Sequence, residues 1–366
     1  MLYKILYRIL TFFCGSTRRM LKTLLAGVVL ILFAIMMVIR IFWNPIEYFM
    51  MAIGLIIAVA IIWRKVHVLQ KGKSLEKKLD DVEYLMSARK YDKALVLTEK
   101  ILAEDISEQS SKSEVFTCLF NKAQCLIQKV YETCEVDKYK ELIALYEQLG
   151  QMALELKRNS FFLIIRNLGT LYSSLGTIQN DKSMYESALE VYNNGLASQN
   201  SINDYDGKDL NIASIHVQIG ACYVRLSEYE NKEYYLNKAL AEYEGVYDLL
   251  IKENSNGNYS YIQLYIGSVL RKLNEMEFDE NRKSKALDHI NLYMESVNSM
   301  KKKLSKEFYY SIYYNYADSY YELYKLNKAD EYLEKFKEYE IKTRECSKVS
   351  PITIMELDKK SKEIGV

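Results

Sequence analysis

The chain has 366 residues and carries 49 Lys and Arg against 48 Asp and Glu, so its formal net charge is +1. A charged fraction of 27% beside 49% hydrophobic residues excludes a wholly disordered chain. Only 2 Pro and 14 Gly are present, which argues against turn-rich β-sandwiches and barrels and favours long helices. The length allows roughly two or three domains.

Two uncharged apolar stretches stand near the N-terminus, at residues 23–39 and 48–63. With its apolar flanks, each approaches the ~20 residues that a helix needs to cross a hydrocarbon core. The pair Asn44-Pro45 between them is a turn signal, because Pro45 has no N–H with which to continue a helix. We therefore predict two transmembrane helices within residues 21–63, joined as a hairpin, and no cleaved signal peptide.

Basic residues indicate how this hairpin is oriented. Five of them precede the first stretch and six lie in residues 64–78, whereas the connecting loop has only Arg40 beside Glu47. Because Lys and Arg stay on the cytoplasmic side, we expect both termini in the cytoplasm and the hairpin in the plasma membrane. Residues 64–78 then form a basic juxtamembrane linker that suits an anionic inner leaflet. Residues 1–20 read either as an amphipathic juxtamembrane helix in the headgroup region or as an extension of the first span.

The rest of the chain shows an internal repeat of 46 to 51 residues. Each copy has a small residue in a predicted first helix and a second apolar residue, usually Ala, in the helix that follows. The interval between the two is 19 residues in four copies and 12 in the last. The five pairs are Ala123/Leu142, Gly169/Ala188, Gly220/Ala239, Gly267/Ala286 and Ala317/Ala329.

This pattern resembles the tetratricopeptide repeat (TPR) family, in which an aromatic residue comes three positions after the small residue. Pairs of that kind are Gly169/Tyr172, Gly220/Tyr223 and Ala317/Tyr320. The last copy has the family's 12-residue interval, whereas the middle copies have seven more residues, and the family's terminal Pro is missing. The resemblance is therefore to divergent, lengthened TPR-like repeats, and an earlier copy is recognised around Ala94.

The sequence therefore predicts an all-α chain, with the N-terminal transmembrane hairpin followed by a TPR-like α-solenoid of about six helix pairs over residues 79–345. Small residues let paired helices approach closely, and we expect the Tyr three positions later to fill the neighbouring groove. Stacking of the pairs supplies the core. The Ser350-Pro351 pair is a helix-start signal, and it predicts a C-terminal capping helix over residues 350–366 that closes the last repeat.

No motif in the chain supports catalysis. The six cysteines include no CxxC pair, and His67, His216 and His289 are isolated, with no HExxH motif. We expect reduced, buried cysteines and a packing role for His216. The sequence thus predicts no enzymatic activity, no cofactor and no metal.

The resemblance also implies a binding surface, since the first helices of TPR proteins line a concave groove for peptides or partner helices. The family's carboxylate-clamp residues are not reproduced here, which leaves recognition of a terminal acidic peptide in doubt. The residues that the register places in the groove are Arg166, Asn167, Gln218, Arg225, Tyr265, Arg271, Tyr314 and Tyr321.

Two functions are compatible with these features. The first is a membrane-anchored scaffold or adaptor that binds a protein or peptide partner on the cytoplasmic side. The alternative is a membrane effector in stress or defence, whose repeats sense or oligomerise and whose hairpin, with a small-residue pair at Gly54 and Ala58, perturbs the bilayer. Nucleic acid is disfavoured as a partner, because residues 79–366 contain 37 basic and 46 acidic side chains. A homo-oligomer is compatible with both functions.

Overall fold

The chain forms two compact units, residues 1–76 and residues 77–366. The computed structural model describes nine single residues between 27 and 60 and the ranges 75–106, 110–253, 260–301, 309–346 and 349–366.

In the first unit, the nine single described residues are all helical and lie within the two apolar stretches. Several of their side chains are exposed, Ile31 by 62% and Ile56 by 67%. Where the structure describes the chain, no helix combines the length and apolarity that a membrane crossing needs. Most of the predicted spans, the segment 1–20 and most of the linker 64–78 lie outside the described residues, so these calls stay predictions.

The second unit consists of helices joined by short loops, and the described part of the chain contains no strand. The first helix, α1, covers 75–87. The helices that follow are α2 (Tyr91–Glu104), α3 (Lys112–Thr133), α4 (Val136–Glu155), α5 (Phe161–Gln179), α6 (Lys182–Ala197), α7 (Lys208–Leu226), α8 (Lys232–Lys252), α9 (Tyr261–Met276), α10 (Glu280–Lys301), α11 (Tyr309–Asn327), α12 (Asp330–Arg344) and α13 (Pro351–Ile364).

These helices are arranged as consecutive pairs, from α1/α2 to α11/α12, followed by the single helix α13. From α3 onward the two helices of each pair pack together, and each second helix also packs on the first helix of the next pair. First helices contact one another directly where α5 meets α7 and where α9 meets α11. This stacking confirms the prediction of an all-α, TPR-like solenoid in the second unit. We call the surface formed by α3, α5, α7, α9 and α11 the first-helix face.

The small residues of the repeat lie where the two helices of a pair approach most closely. A Cβ on Gly169 would lie 2.3 Å from the ring of Tyr192, and one on Gly220 would lie 2.4 Å from the ring of Tyr243. Each of these tyrosines is buried in the second helix, four residues after the repeat's alanine. The close ring therefore comes from the second helix. Tyr172, predicted to fill the neighbouring groove, is half-buried, and its hydroxyl donates to Glu147 in the second helix of the preceding pair at 2.7 Å.

The last pair corrects the predicted 12-residue interval. Ala329 is exposed and extended, immediately before α12, so it packs against no first helix. The buried apolar residue of α12 is Phe336, which lies in one core cluster with Ala317. Phe336 follows Ala317 by 19 residues, the interval of the other copies. The seven extra residues of the middle copies are likewise helical, because only two residues separate α5 from α6.

Candidate partner-binding face

The C-terminal helix α13 begins and ends where the sequence predicts. The hydroxyl of Ser350 accepts a hydrogen bond from the backbone N–H of Thr353 at 3.2 Å, Pro351 is the first helical residue, and Gly365 ends the helix with a left-handed φ of 76°. The helix packs on the last pair, where Leu357 lies in one core cluster with Ala317 and Phe336. Besides packing on the last pair, it contacts α3 and α5 near the start of the solenoid. It therefore lies along the first-helix face.

Charged side chains attach α13 to α7. Glu356 forms an ion pair with Arg225, and Lys359 forms another with Glu228, one turn after Arg225. Burial tends to raise the pKa of Glu356, but the positive charges of Arg225 and Lys360 outweigh it and hold the pKa below its usual value. Glu356 is therefore ionised at neutral pH and stays paired with Arg225.

A second set of contacts attaches α13 to α11. Lys360 forms an ion pair with Asp318, and its ammonium lies 5.5 Å from the ring centre of Tyr314 and 5.4 Å from that of Tyr321. The Tyr321 hydroxyl donates to Glu363 at 2.6 Å. Cations over aromatic faces are stabilised by the ring quadrupole, which adds to the ion pair.

Glu363 of α13 has two partners on α11. It accepts from Tyr321 and lies 2.7 Å from the ammonium of Lys325. Burial tends to raise the pKa of Glu363, but hydrogen bonds from Lys325 and Tyr321 outweigh it and lower the pKa to about 2. The negative charge thus persists across the physiological pH range.

A cavity of about 320 Å³ lies between α13 and the helices α7, α9 and α11. Its wall is mixed, since charged residues of α13 meet tyrosines of both first and second helices and a half-buried lysine, Lys272, of α9. Burial lowers the pKa of Lys272 to about 8, because the charged ammonium loses hydration there. The tyrosines of the wall are Tyr243, Tyr261, Tyr265, Tyr293, Tyr314 and Tyr321.

A buried ion pair joins α9 and α11 next to this cavity. Arg271 and Glu322, whose side chains are 2% and 5% exposed, are joined by a hydrogen bond from the guanidinium Nε. The hydroxyl of Ser268 donates to Glu322 at 2.9 Å, and Glu275 lies 2.7 Å from Arg271. A buried charge without its partner is costly, so these groups fix the spacing between α9 and α11.

Four of the residues predicted to lie in the groove come together at this place. Arg225, Tyr265, Tyr314 and Tyr321 all line the cavity beside α13. Arg271 does not line the cavity. It is buried in an ion pair with Glu322, so its side chain is not accessible to a partner.

The remaining three predicted groove residues lie elsewhere on α5 and α7. Asn167 donates to the Tyr146 hydroxyl at 3.1 Å, and Arg166 and Gln218 are half-buried. None of the three lines the cavity.

The residues that the sequence analysis missed are those of α13 itself. Glu356, Lys360 and Glu363 follow one another at intervals of four and three residues, so they lie on one edge of the helix. That spacing of opposite charges was the available signal. This spacing indicates a helix edge able to form ion pairs, but it does not indicate which helices α13 contacts.

The structure adds no catalytic or metal centre to the residues it describes. No group of three or more His, Cys, Asp or Glu side chains is placed to hold a metal among them. Burial raises the pKa of both Cys118 and Cys125 to about 11, so neither thiol is reactive at neutral pH. His216, predicted to have a packing role, lies 2.7 Å from Glu242 on the paired helix.

Comparison with known proteins gives little further information. No protein-family model matches the sequence. No curated protein matches it either. Among solved structures, the chain is similar to the TPR2AB domain of yeast Sti1 in a structure titled as a complex with pHSP90, at 14% identity and a TM-score of 0.27, over 81% of this chain and 100% of that one. A TM-score of that size does not establish a shared arrangement of helices, so our description of the fold rests on the helix packing above.

Proposed function

We propose that the chain is a membrane-tethered interaction scaffold. Two spans within residues 21–63 hold it in the plasma membrane, and the helix pairs bind a protein or peptide partner on the cytoplasmic side. The single observation that supports this most is the clustering of Arg225, Tyr265, Tyr314 and Tyr321 at one cavity of the first-helix face. Tyr and Arg are the residues that contribute most energy to protein interfaces.

The mode of binding follows from the architecture. Stacked first helices present side chains from several pairs along one surface, which suits an elongated ligand, either extended or helical. Tethering the scaffold at the membrane raises the local concentration of its partner there.

Capture of partners by the full chain tests the scaffold function. The full-length protein, purified in detergent, is used as bait beside a variant with Tyr265→Ala and Tyr314→Ala, which removes two rings of the cavity wall. We expect specific proteins to be retained by the wild type and lost from the variant, as read by quantitative mass spectrometry. Identical sets of proteins on both baits, with the variant still helical by circular dichroism, would exclude this face as the binding surface.

Membrane extraction tests the tether. We expect the full chain to resist extraction by alkaline carbonate and a protease added to the outside of intact cells to leave residues 77–366 uncut. Release by carbonate would show that the predicted spans do not insert. If expression of the full chain instead collapses the membrane potential, as measured with a potential-sensitive dye, the alternative function as a membrane effector is favoured.

A further inference from the structure

The helix α13 is attached to the solenoid mainly by polar contacts. Only Leu357 and Ser361 are buried in it, whereas α5 has nine buried residues. Buried apolar area is what makes a helix costly to detach, and an element that lacks it opens at low free energy. With so few buried residues, α13 is suited to leave its place and return.

The charges on the two sides of this contact are complementary in order. On α13, Glu356, Lys360 and Glu363 form what we call the acid–base–acid edge. They meet a base, an acid and a base of the first-helix face, respectively Arg225, Asp318 and Lys325. Such an order fixes the register, because a helix shifted by one charged position would bring like charges together.

One apolar anchor accompanies this edge. Leu357, beside Glu356, is fully buried against Ala317, Tyr321 and Phe336. The cavity of about 320 Å³ next to α13 shows that the helix does not fill the space available to it. A ligand with larger side chains at this position would gain contacts that α13 lacks.

We propose that the first-helix face recognises an amphipathic helix with an acid–base–acid edge, and that α13 is its resident ligand, which a partner helix of this chemistry displaces. This inference rests on the proposed function, since it names the partner class of the same face. The partner presents a carboxylate, an ammonium and a second carboxylate at intervals of four and three residues, with a leucine-sized side chain next to the first carboxylate. As long as α13 is docked, the affinity of the partner is reduced by the fraction of molecules whose face is occupied.

Exchange of α13 against a synthetic copy of itself tests the proposal. The probe is a fluorescein-labelled peptide of residues 350–366, titrated into the full chain in lipid nanodiscs and followed by fluorescence anisotropy. We compare the wild type with Glu356→Gln/Glu363→Gln, which weakens α13 and leaves the face intact. Binding at least tenfold tighter to the variant is the expected result, because its face is more often free.

Two controls separate this effect from general loosening. Adding Arg225→Gln and Asp318→Asn to the variant damages the face, and we expect it to abolish peptide binding. A second peptide, with Gln in place of Glu356, Lys360 and Glu363, is expected not to bind any of the chains. Circular dichroism and thermal unfolding establish that each variant is folded.

Three outcomes would overturn the proposal. The first is equal affinity of the peptide for wild type and variant, and the second is no binding to a folded variant. The third is a variant that dimerises by mass photometry and refuses the peptide, because a second copy would then be the occupant of the face.

The same probe distinguishes this inference from the proposed function. If cellular partners are captured by the full chain and an excess of the peptide does not compete with them, the scaffold function stands and the displacement of α13 is refuted. If the peptide exchanges as expected but no partner is captured from cells, the face is correctly assigned and the scaffold function fails.

Discussion

The glycines of the repeat show how single residues set the distance between helices. Gly169 and Gly220 each face a tyrosine ring so closely that a Cβ would overlap it. Gly245, in contrast, is an exposed glycine of α8 with no atom within 4 Å of the place of a Cβ. The chain thus offers packed and unpacked glycines in similar helices, and they can be compared directly.

We predict that Gly169→Ala and Gly220→Ala each lower the free energy of unfolding by about 1–3 kcal/mol, because the added methyl group forces the paired helices apart. Gly245→Ala is the matched control and is expected to raise the free energy of unfolding by about 0.5–1 kcal/mol, since Ala is the better helix former. Urea denaturation followed by circular dichroism measures all three. Equal effects at the three positions would contradict the packing described here.

Lys272 gives a pH dependence at the residue scale. Its pKa is about 8 in the folded chain, against 10.5 for a free lysine, because burial disfavours the charged form. Below pH 8 the lysine is charged in both the folded and the unfolded state, and the folded state bears the full cost of its burial. Between pH 8 and 10.5 the unfolded state binds more protons, so this cost disappears as the pH rises.

We therefore expect Lys272→Met to be more stable than the wild type by about 1–2 kcal/mol at pH 7, and this advantage to vanish near pH 10.5. Thermal or urea unfolding of the two proteins across that pH range is the measurement. The exposed Lys252→Met serves as control and is expected to shift stability little at any pH. If the stability advantage of Lys272→Met grew with pH, the pKa of Lys272 would not be lowered by burial.

At the scale of the element, the last pair shows that packing defines the positions of the repeat. Local similarity to the family pattern assigns the second position of this copy to the wrong residue. Ala329 matches the TPR interval in sequence but lies outside α12, whereas Phe336 keeps the 19-residue interval and is fully buried. The helix register is set by which side chain reaches the core, and a phenylalanine reaches it where an alanine in a loop cannot.

This register is testable in α12. Phe336→Ala is expected to lower the free energy of unfolding by about 3–5 kcal/mol, because it leaves a cavity between α11, α12 and α13. Ala329→Ser is expected to change it by less than about 0.5 kcal/mol, since that residue is exposed. If Ala329→Ser were the more damaging substitution, the 12-residue interval of the sequence analysis would be the correct one.

At the scale of the whole molecule, the net charge of +1 averages over dissimilar parts. Residues 1–63 and 64–78 each hold six basic and one acidic residue, whereas residues 79–366 hold 37 basic and 46 acidic ones. The basic excess lies beside the predicted spans, where we expect it to orient the predicted hairpin. The acidic excess lies in the repeats, where it disfavours nucleic acid as a partner.

We predict that replacing Arg64, Lys65, Lys71 and Lys73 by Gln reverses the topology in a measurable fraction of molecules, because the basic bias that holds the second span is reduced. Cysteine labelling from outside intact cells, at a new cysteine in the repeats, measures that fraction. Four Lys→Gln changes within residues 79–366, far from the spans, are the control. Unchanged orientation in the first variant would show that the linker does not orient the hairpin.

The sequence by itself was enough for the repeat architecture. Equal intervals between small and apolar residues require helix pairs of constant geometry, and the Ser350-Pro351 start of α13 depends on only a few neighbouring backbone groups. Four of the eight residues that the register places in the groove line one cavity, because neighbouring first helices contribute to one surface.

Only the tertiary structure decided three features. These are the ring that faces each glycine, the packing of Phe336 where the sequence predicted Ala329, and the position of α13. Arg271 and Arg225 lie only one position apart in the repeat register, yet Arg271 is buried against Glu322 and Arg225 pairs with the C-terminal helix. Those outcomes depend on contacts between residues that are distant in sequence. Arg271 and Glu322 are 51 positions apart, and Arg225 and Glu356 are 131 positions apart. No local pattern of charge or periodicity specifies such partners, since several carboxylates could satisfy each arginine until the stacking of the helices selects one.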